Sequence, residues 1–202
     1  MRGLEHIPWL YDAGMAIGDA LGLARWRRCL TAGAEGDILE VGCGTGRTLP
    51  LYPPASRLWA VDPDTHALRR AARRAPAACL LAARAEALPF PARSFDLVTT
   101  TLSFCSVDDV PRGLAELRRV LRDGGELRML EHVRSPGLRG WIQDRVQPAW
   151  TAITGGCRPN RDTEAAVAAA GFRIDPSSRR ARGVMRCFAA HKASDVGPAT
   201  WG

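Results

Sequence analysis

The chain has 202 residues, 46% of them apolar and 24% charged, with a formal net charge of +7. That length suits one domain with a sizeable core, and the balance excludes a disordered or fibrous chain. No apolar run is long enough to cross a bilayer and no charged-then-apolar leader opens the sequence, so neither a membrane-spanning nor a secreted protein is expected.

Lys192 is the single lysine, so nearly all the positive charge is arginine. The lysine-poor, alanine-, arginine- and glycine-rich composition fits a GC-rich bacterial genome. The arginines are scattered, with small clusters at Arg69, Arg70, Arg73 and Arg74 and at Arg179, Arg180 and Arg182, as on solvated faces. No C-x-x-C pair occurs among Cys29, Cys43, Cys79, Cys105, Cys157 and Cys187. Spacing therefore suggests no zinc or other metal site, and thiols within apolar runs imply reduced cysteines in a cytoplasmic protein.

Residues 4–31 read as mostly helical, a cap over the carboxyl end of the first strand. Strand-like apolar runs then alternate with helical patterns: DILEV (37–41), RLWAVD (57–62), ACLLAA (78–83), FDLVTTT (95–101) and ELRMLEHV (126–133). Helices are expected near 64–75 and 111–121, with Asp64 and Thr65 as caps of the first and Pro111 in the first turn of the second. The Asp123-Gly124-Gly125 triplet reads as the turn that ends the second helix. Residues 138–154 place Trp141, Ile142, Val146, Trp150 and Ile153 at helical spacing. A helix near 161–170, a strand opening at Phe172 and a last strand at 184–191 close the domain. Continuous apolarity implies strands buried on both faces, hence a doubly wound, mostly parallel sheet. One domain over 1–192 is expected, with a cap at 1–31, a substrate-side insertion at 134–161 and a flexible tail at 193–202.

The strongest motif is ILEVGCGTGRT, residues 38–48. A strand ends at Val41, and Gly42, Gly44 and Gly46 permit a tight turn and close approach of a ligand to backbone, with Cys43 between them. A helix is expected to start there and offer free N–H groups. The spacing is G-x-G-x-G rather than the G-x-G-x-x-G of nicotinamide or flavin enzymes. Asp62 ends the second strand 20 residues past Gly42, where a carboxylate can accept both hydroxyls of a ribose, with Pro63 beside it.

This pattern resembles the first motif of class I S-adenosylmethionine-dependent methyltransferases, which share a Rossmann-like seven-stranded α/β fold. The resemblance implies S-adenosylmethionine as cofactor and gives Glu40 a role at its ammonium group or the waters there. RAEALPFPARSFDLVTTT (84–101) resembles the family's next motifs and implies that Ala85 and Glu86 line the adenine. Arg84 stands where aspartate is common, leaving the adenine amino group to Glu86 or a backbone carbonyl. Thr101, Leu102 and Ser103 would then lie beside the reactive sulfur. LRRVLRDGGEL (117–127) completes the set, with Asp123 in place of proline.

LYDAGM (10–15), TLSFCSVDD (101–109), LEHV (130–133) and QPAWTAITGGCRPNR (147–161) narrow the resemblance. They are similar to the methyltransferase-like thiol methyltransferases and to bacterial relatives that act on phospholipids or quinones. That implies a small, fairly apolar acceptor, a thiol first, under a roof of apolar helices, with Tyr11 closing over the cofactor's amino-acid end. His132 and Asp108 are the catalytic candidates on the acceptor side, followed by Asp109. A hydrogen-bonded histidine behind the pocket and a helix N-cap are their structural alternatives. Cys157 reads as lining or packing. Nucleic acid is not expected as a partner, while peripheral contact with a membrane surface is compatible with the resemblance.

Overall fold

The computed structural model describes residues 16, 18–54, 56–154 and 156–193. Tyr11, expected in the cap, lies outside the described residues, as do Trp9 and the tail from residue 194.

Five strands form in parallel where the apolar runs predict them: β1 (Asp37–Val41), β2 (Arg57–Asp62), β3 (Cys79–Ala82), β4 (Phe95–Thr101) and β5 (Leu121–His132). Three more complete the sheet: β6 (Phe172–Ile174), β7 (Arg180–Arg182) and β8 (Met185–Lys192). Its order is β3-β2-β1-β4-β5-β8-β6, with β7 paired to β8 outside that path. The first five pair in parallel, and β8 is antiparallel to β5, β6 and β7. The sheet thus has eight strands rather than the seven expected. The extra strand is Arg-Ala-Arg, exposed at every position, and shows no apolar pattern. A two-residue hairpin creates it, with Arg182 opposite Met185 and Gly183 at φ +58°.

Side chains alternate between the two faces, as pleating requires. Leu39, Val41, Val61 and Val98 pack on one face with Leu114 and Leu117 of α3 (Val110–Val120) and Val167 of α5 (Thr163–Ala169). Ile38, Ala60 and Leu97 pack on the other with Leu68 and Ala71 of α2 (Thr65–Arg74). α1 (Ala24–Thr31) brings Leu30 against Leu130 and Cys187. Helix starts obey the sequence signals: Asp64 accepts from His66 N, and Asp109 accepts from Arg112 N with Pro111 in the first turn.

Three local expectations need correction. Residues 42–48 form turns and lead to one short 3-10 turn, Leu49–Leu51, instead of a helix opening at the glycines. Prolines 50, 53 and 54 remove the N–H donors that a helix would need. The Asp123-Gly124-Gly125 triplet lies inside β5 as a bulge, since Leu121 opposes Phe95 while Glu126 opposes Leu97. The apolar residues of α4 (Gly137–Thr154) do not form a roof among the described residues: Trp141, Ile142, Val146, Trp150 and Ile153 are exposed, and only Gly156 from the 134–161 segment lines the cavity at the sheet's carboxyl edge.

Gly46 fixes how closely the glycine turn packs on α2. A Cβ there would meet Ala71 Cα at 2.8 Å, with φ at +79°. Gly46→Ala combines an unfavourable backbone conformation with a backbone clash, so it should destabilise the protein by about 2–4 kcal/mol in urea unfolding. A loss below about 0.5 kcal/mol would contradict this packing.

Candidate functional site

β1, β2 and β4 end side by side, and the turns after them enclose a cavity of about 510 Å³. Such a crevice beyond the carboxyl ends of parallel strands is where α/β sheets bind ligands. Gly42, Gly44, Asp62 and Pro63 line one side; Ala85, Glu86, Thr101 and Leu102 line the other, with Asp108 at the rim.

The glycines do different jobs. A Cβ on Gly42 would lie 2.3 Å from Ser103 Cβ, so this glycine admits the turn after β4 rather than a ligand. Gly44, at φ +53°, has nothing within 4 Å of a built Cβ and faces the cavity. Gly46 packs on α2 and does not line the cavity; Cys43 is buried in the core beneath the turn.

Asp62 organises this turn. Its Oδ2 accepts from Gly44 N at 2.8 Å and its Oδ1 from Asp64 N at 2.9 Å. Helix capping falls to Asp64, so Asp62 is left to the cavity wall. Burial raises the Asp62 pKa above the usual carboxylate value, against the opposing pull of the two backbone N–H groups.

The opposite rim is a charge network. Arg84 pairs with Asp108 at 2.5 Å and lies 3.5 Å from Glu86. Glu86 Oε1 accepts from Asp108 N and Asp109 N, while Arg112 Nε donates to the Glu86 carbonyl. Burial works to raise the Glu86 pKa, but the backbone donors and Arg84 outweigh it and hold the carboxyl low. Arg84, which departs from the family pattern, thus closes the rim instead of accepting from a base.

Glu40 lies beneath the glycine turn, 1% exposed, on the sheet face covered by α1. It lines a small cleft with Arg27 and Cys43 that shares Gly42, Thr45 and Thr101 with the main cavity. Its Oε2 is buried without a hydrogen-bond partner among the described residues. Burial lifts its pKa from 4.5 to about 7, opposed by the Arg27 charge and by the Tyr52 and Thr48 hydroxyls.

A second buried acid, Glu131, escaped the sequence reading although it is an acid inside the apolar run LEHV. Its Oε1 accepts from Thr100 Oγ1 at 2.8 Å, Ser103 N at 3.2 Å and Phe104 N at 3.3 Å. It thereby holds the turn in which Leu102 adopts φ +53°, a strained conformation for a branched side chain.

His132 does not line the cavity. It meets Cys105 and Cys157 instead, and the ligand-capable atoms of the three lie within 4.8 Å of one another. Sequence spacing missed this group because its members come from three distant segments. Arg158 N donates to Cys105 O and Arg161 Nη1 to Phe104 O, which ties the 157–161 loop to the turn after β4. His132 Nδ1 is buried without a partner among the described residues. The Cys105 thiol donates to Leu102 O at 3.5 Å; the proximity of Cys105 and His132 draws the Cys157 pKa down, and Cys105 is pushed up in return.

Residues 39–129 match the family described as a methyltransferase domain. The chain is 34% identical over 142 residues to human thiol S-methyltransferase TMT1B, covering 65% of this chain and 58% of that protein. It is 36% identical over 113 residues to demethylmenaquinone methyltransferase of Renibacterium salmoninarum, covering 53% of this chain and 47% of the relative. The chain therefore spans about half to six tenths of the length of these curated relatives. A solved S-adenosylmethionine-dependent methyltransferase from Thermotoga maritima superposes with a TM-score of 0.74 at 23% identity, covering 93% of this chain and 97% of that one, and shows the shared Rossmann-like fold.

The raised Glu40 pKa carries a stability signature. With the folded value near 7 and the ordinary value at 4.5, the native state binds the extra proton between them. Stability linked to this group is complete below about pH 4.5 and is lost as pH rises through 7, by about 3 kcal/mol at most. Glu40→Gln should remove that part of the slope in urea titrations; an unchanged slope would refute the buried, proton-holding state of Glu40.

Proposed function

We propose that this protein transfers a methyl group from S-adenosylmethionine to a small, fairly apolar acceptor, a thiol first. The observation that carries the reading is the cavity at the carboxyl ends of β1, β2 and β4, walled by Asp62, Gly44 and Ala85 within the matched methyltransferase domain.

The residues fit this donor. The space beside Gly44 accepts a ligand against backbone. Each Asp62 oxygen holds one backbone N–H and retains lone-pair capacity for a ribose hydroxyl. Pro63, Ala85 and Leu102 offer apolar surface to a base. Glu86 already accepts two backbone N–H groups, which favours a backbone carbonyl for the adenine amino group. The unpartnered Glu40 oxygen, in the adjoining cleft, suits the ammonium group or a water beside it.

When bound, S-adenosylmethionine supplies a methyl carbon already activated by its positively charged sulfur. The chain's own task is then to align acceptor and methyl and to exclude water. Glu131 fixes the turn carrying Leu102 and Ser103, and the Arg84–Asp108 pair holds the rim. Asp108 thus positions the wall, and His132, which does not line the cavity itself, is assigned to the layer behind it on the acceptor side. We assign the cytoplasmic, single-domain arrangement to the same reading; no helix among the described residues is long and apolar enough to cross a membrane.

A quinone or phospholipid amine is the second reading, favoured by the similarity to demethylmenaquinone methyltransferase. Nucleic acid gains no support from the +7 charge, because the arginines are scattered and not interleaved with the aromatic side chains that would stack on bases.

Asp62→Ala should weaken S-adenosylmethionine binding by roughly 1.5–3 kcal/mol in calorimetry, the range for hydrogen bonds to a charged group. Unchanged affinity in the folded variant would remove the assignment. With labelled donor, a small alkyl thiol should be methylated without lipid or detergent, faster as pH rises towards ionisation of the thiol. Activity confined to quinols or lipid vesicles would replace the first acceptor by the second.

A further inference from the structure

We propose that Cys105, His132 and Cys157 form a zinc site whose fourth position receives the sulfur of the acceptor; this rests on the thiol reading of the function.

The donor set is the first reason. Two thiols and one imidazole are ligands that zinc favours, and three protein ligands with one open position are the arrangement of catalytic rather than structural zinc. The three ligand atoms lie within 4.8 Å of one another. A tetrahedral ion with Zn–S bonds of about 2.3 Å and Zn–N bonds of about 2.05 Å needs its ligand atoms roughly 3.5–3.8 Å apart. Closure of the widest separation by about 1 Å would bring them into range.

Preassembly is the second reason. The backbone bond from Arg158 N to Cys105 O, at 2.9 Å, places the two cysteine segments side by side. Thr151 Oγ1 donates to Cys157 O at 2.8 Å, fastening the same loop to α4. His132 sits at the end of β5, the strand that also supplies Glu131 to the Ser103–Phe104 turn. His132 Nδ1 is buried without a hydrogen-bond partner among the described residues, an arrangement that leaves a desolvated ring nitrogen unsatisfied unless a ligand meets it.

Position is the third. Ser106 and Gly156, the neighbours of Cys105 and Cys157, both line the main cavity. The cluster therefore lies just behind the cavity wall, on the side of Thr101, Leu102 and Ser103. A thiol entering from the cavity would bind the metal as thiolate and release its proton to solvent. The zinc-held sulfur then forms its bond to the methyl carbon as that carbon's bond to the donor sulfonium breaks, leaving two neutral thioethers. The acceptor thioether is a weak zinc ligand and departs. No oxidant or reductant is required.

The test uses the full chain, stripped with chelator and titrated with zinc against a chromophoric competitor. One equivalent should bind, and Cys105→Ser, Cys157→Ser and His132→Ala should each weaken it more than about 100-fold, beyond the 10–100-fold typical of outer-shell changes. Circular dichroism identifies any variant that fails to fold, and His132→Gln serves as a milder second change. In the cobalt-substituted protein, thiolate-to-metal charge-transfer absorption should be present and should grow when a small alkyl thiol is added, but not with the matching alcohol. Absence of stoichiometric binding, binding indifferent to all three substitutions, or a Cys105–Cys157 disulfide in the reduced preparation would overturn the site. Alkyl thiol methylation at an unchanged rate in the zinc-free protein would overturn zinc activation while leaving the thiol reading intact. A cobalt–thiol signal with methylation of quinol or lipid amine alone would support the metal site and overturn the thiol reading.

Discussion

The site depends on two carboxylates, one half-buried and one fully buried, that hold the turns at the ends of the parallel strands. A strand that ends at a ligand crevice leaves backbone N–H groups that neither the sheet nor bulk water satisfies. Asp62 takes those of Gly44 and Asp64, and Glu131 takes those of Ser103 and Phe104. Each acid thereby converts a turn with left-handed backbone into a fixed wall. The two walls face each other because Gly42 has no side chain to strike Ser103.

Charge is graded across this edge. Glu40 and Glu131 are fully buried and their pKa values are raised by burial, whereas Glu86 at the rim is held low by backbone N–H groups and Arg84. The interior acids lie under the turns, and the exposed Arg84–Asp108 pair marks the entrance. A ligand with a cationic end and an uncharged ring system matches that gradient better than a pyrophosphate, whose charge would oppose the buried acids.

Much of this was legible in the sequence because its signals are local. Continuous apolar runs gave β1, β2 and β4 with their observed limits, and Asp64 and Asp109 cap their helices as their positions suggest. Glycine spacing with Asp62 located the cavity. The glycines' separate tasks were hidden, since whether a missing Cβ faces Ser103, open space or Ala71 is decided by chain segments far away. β7 was hidden because its side chains are all exposed and only pairing with β8 defines it. The Cys105–His132–Cys157 group was hidden for the same reason: its members lie 27 and 25 residues apart by number, and only the sheet edge brings them together. Glu131 was visible only as an acid in an apolar run.

The central claim is that the turns after β1, β2, β3 and β4 form one binding surface for S-adenosylmethionine. Amide hydrogen exchange with and without that ligand tests it most directly, because each turn reports separately. Exchange should slow together at residues 42–46, 62–64, 84–86 and 101–103 and stay unchanged along β6 and β7. Slowing confined to other parts of the chain, or no change at saturating ligand, would contradict the account.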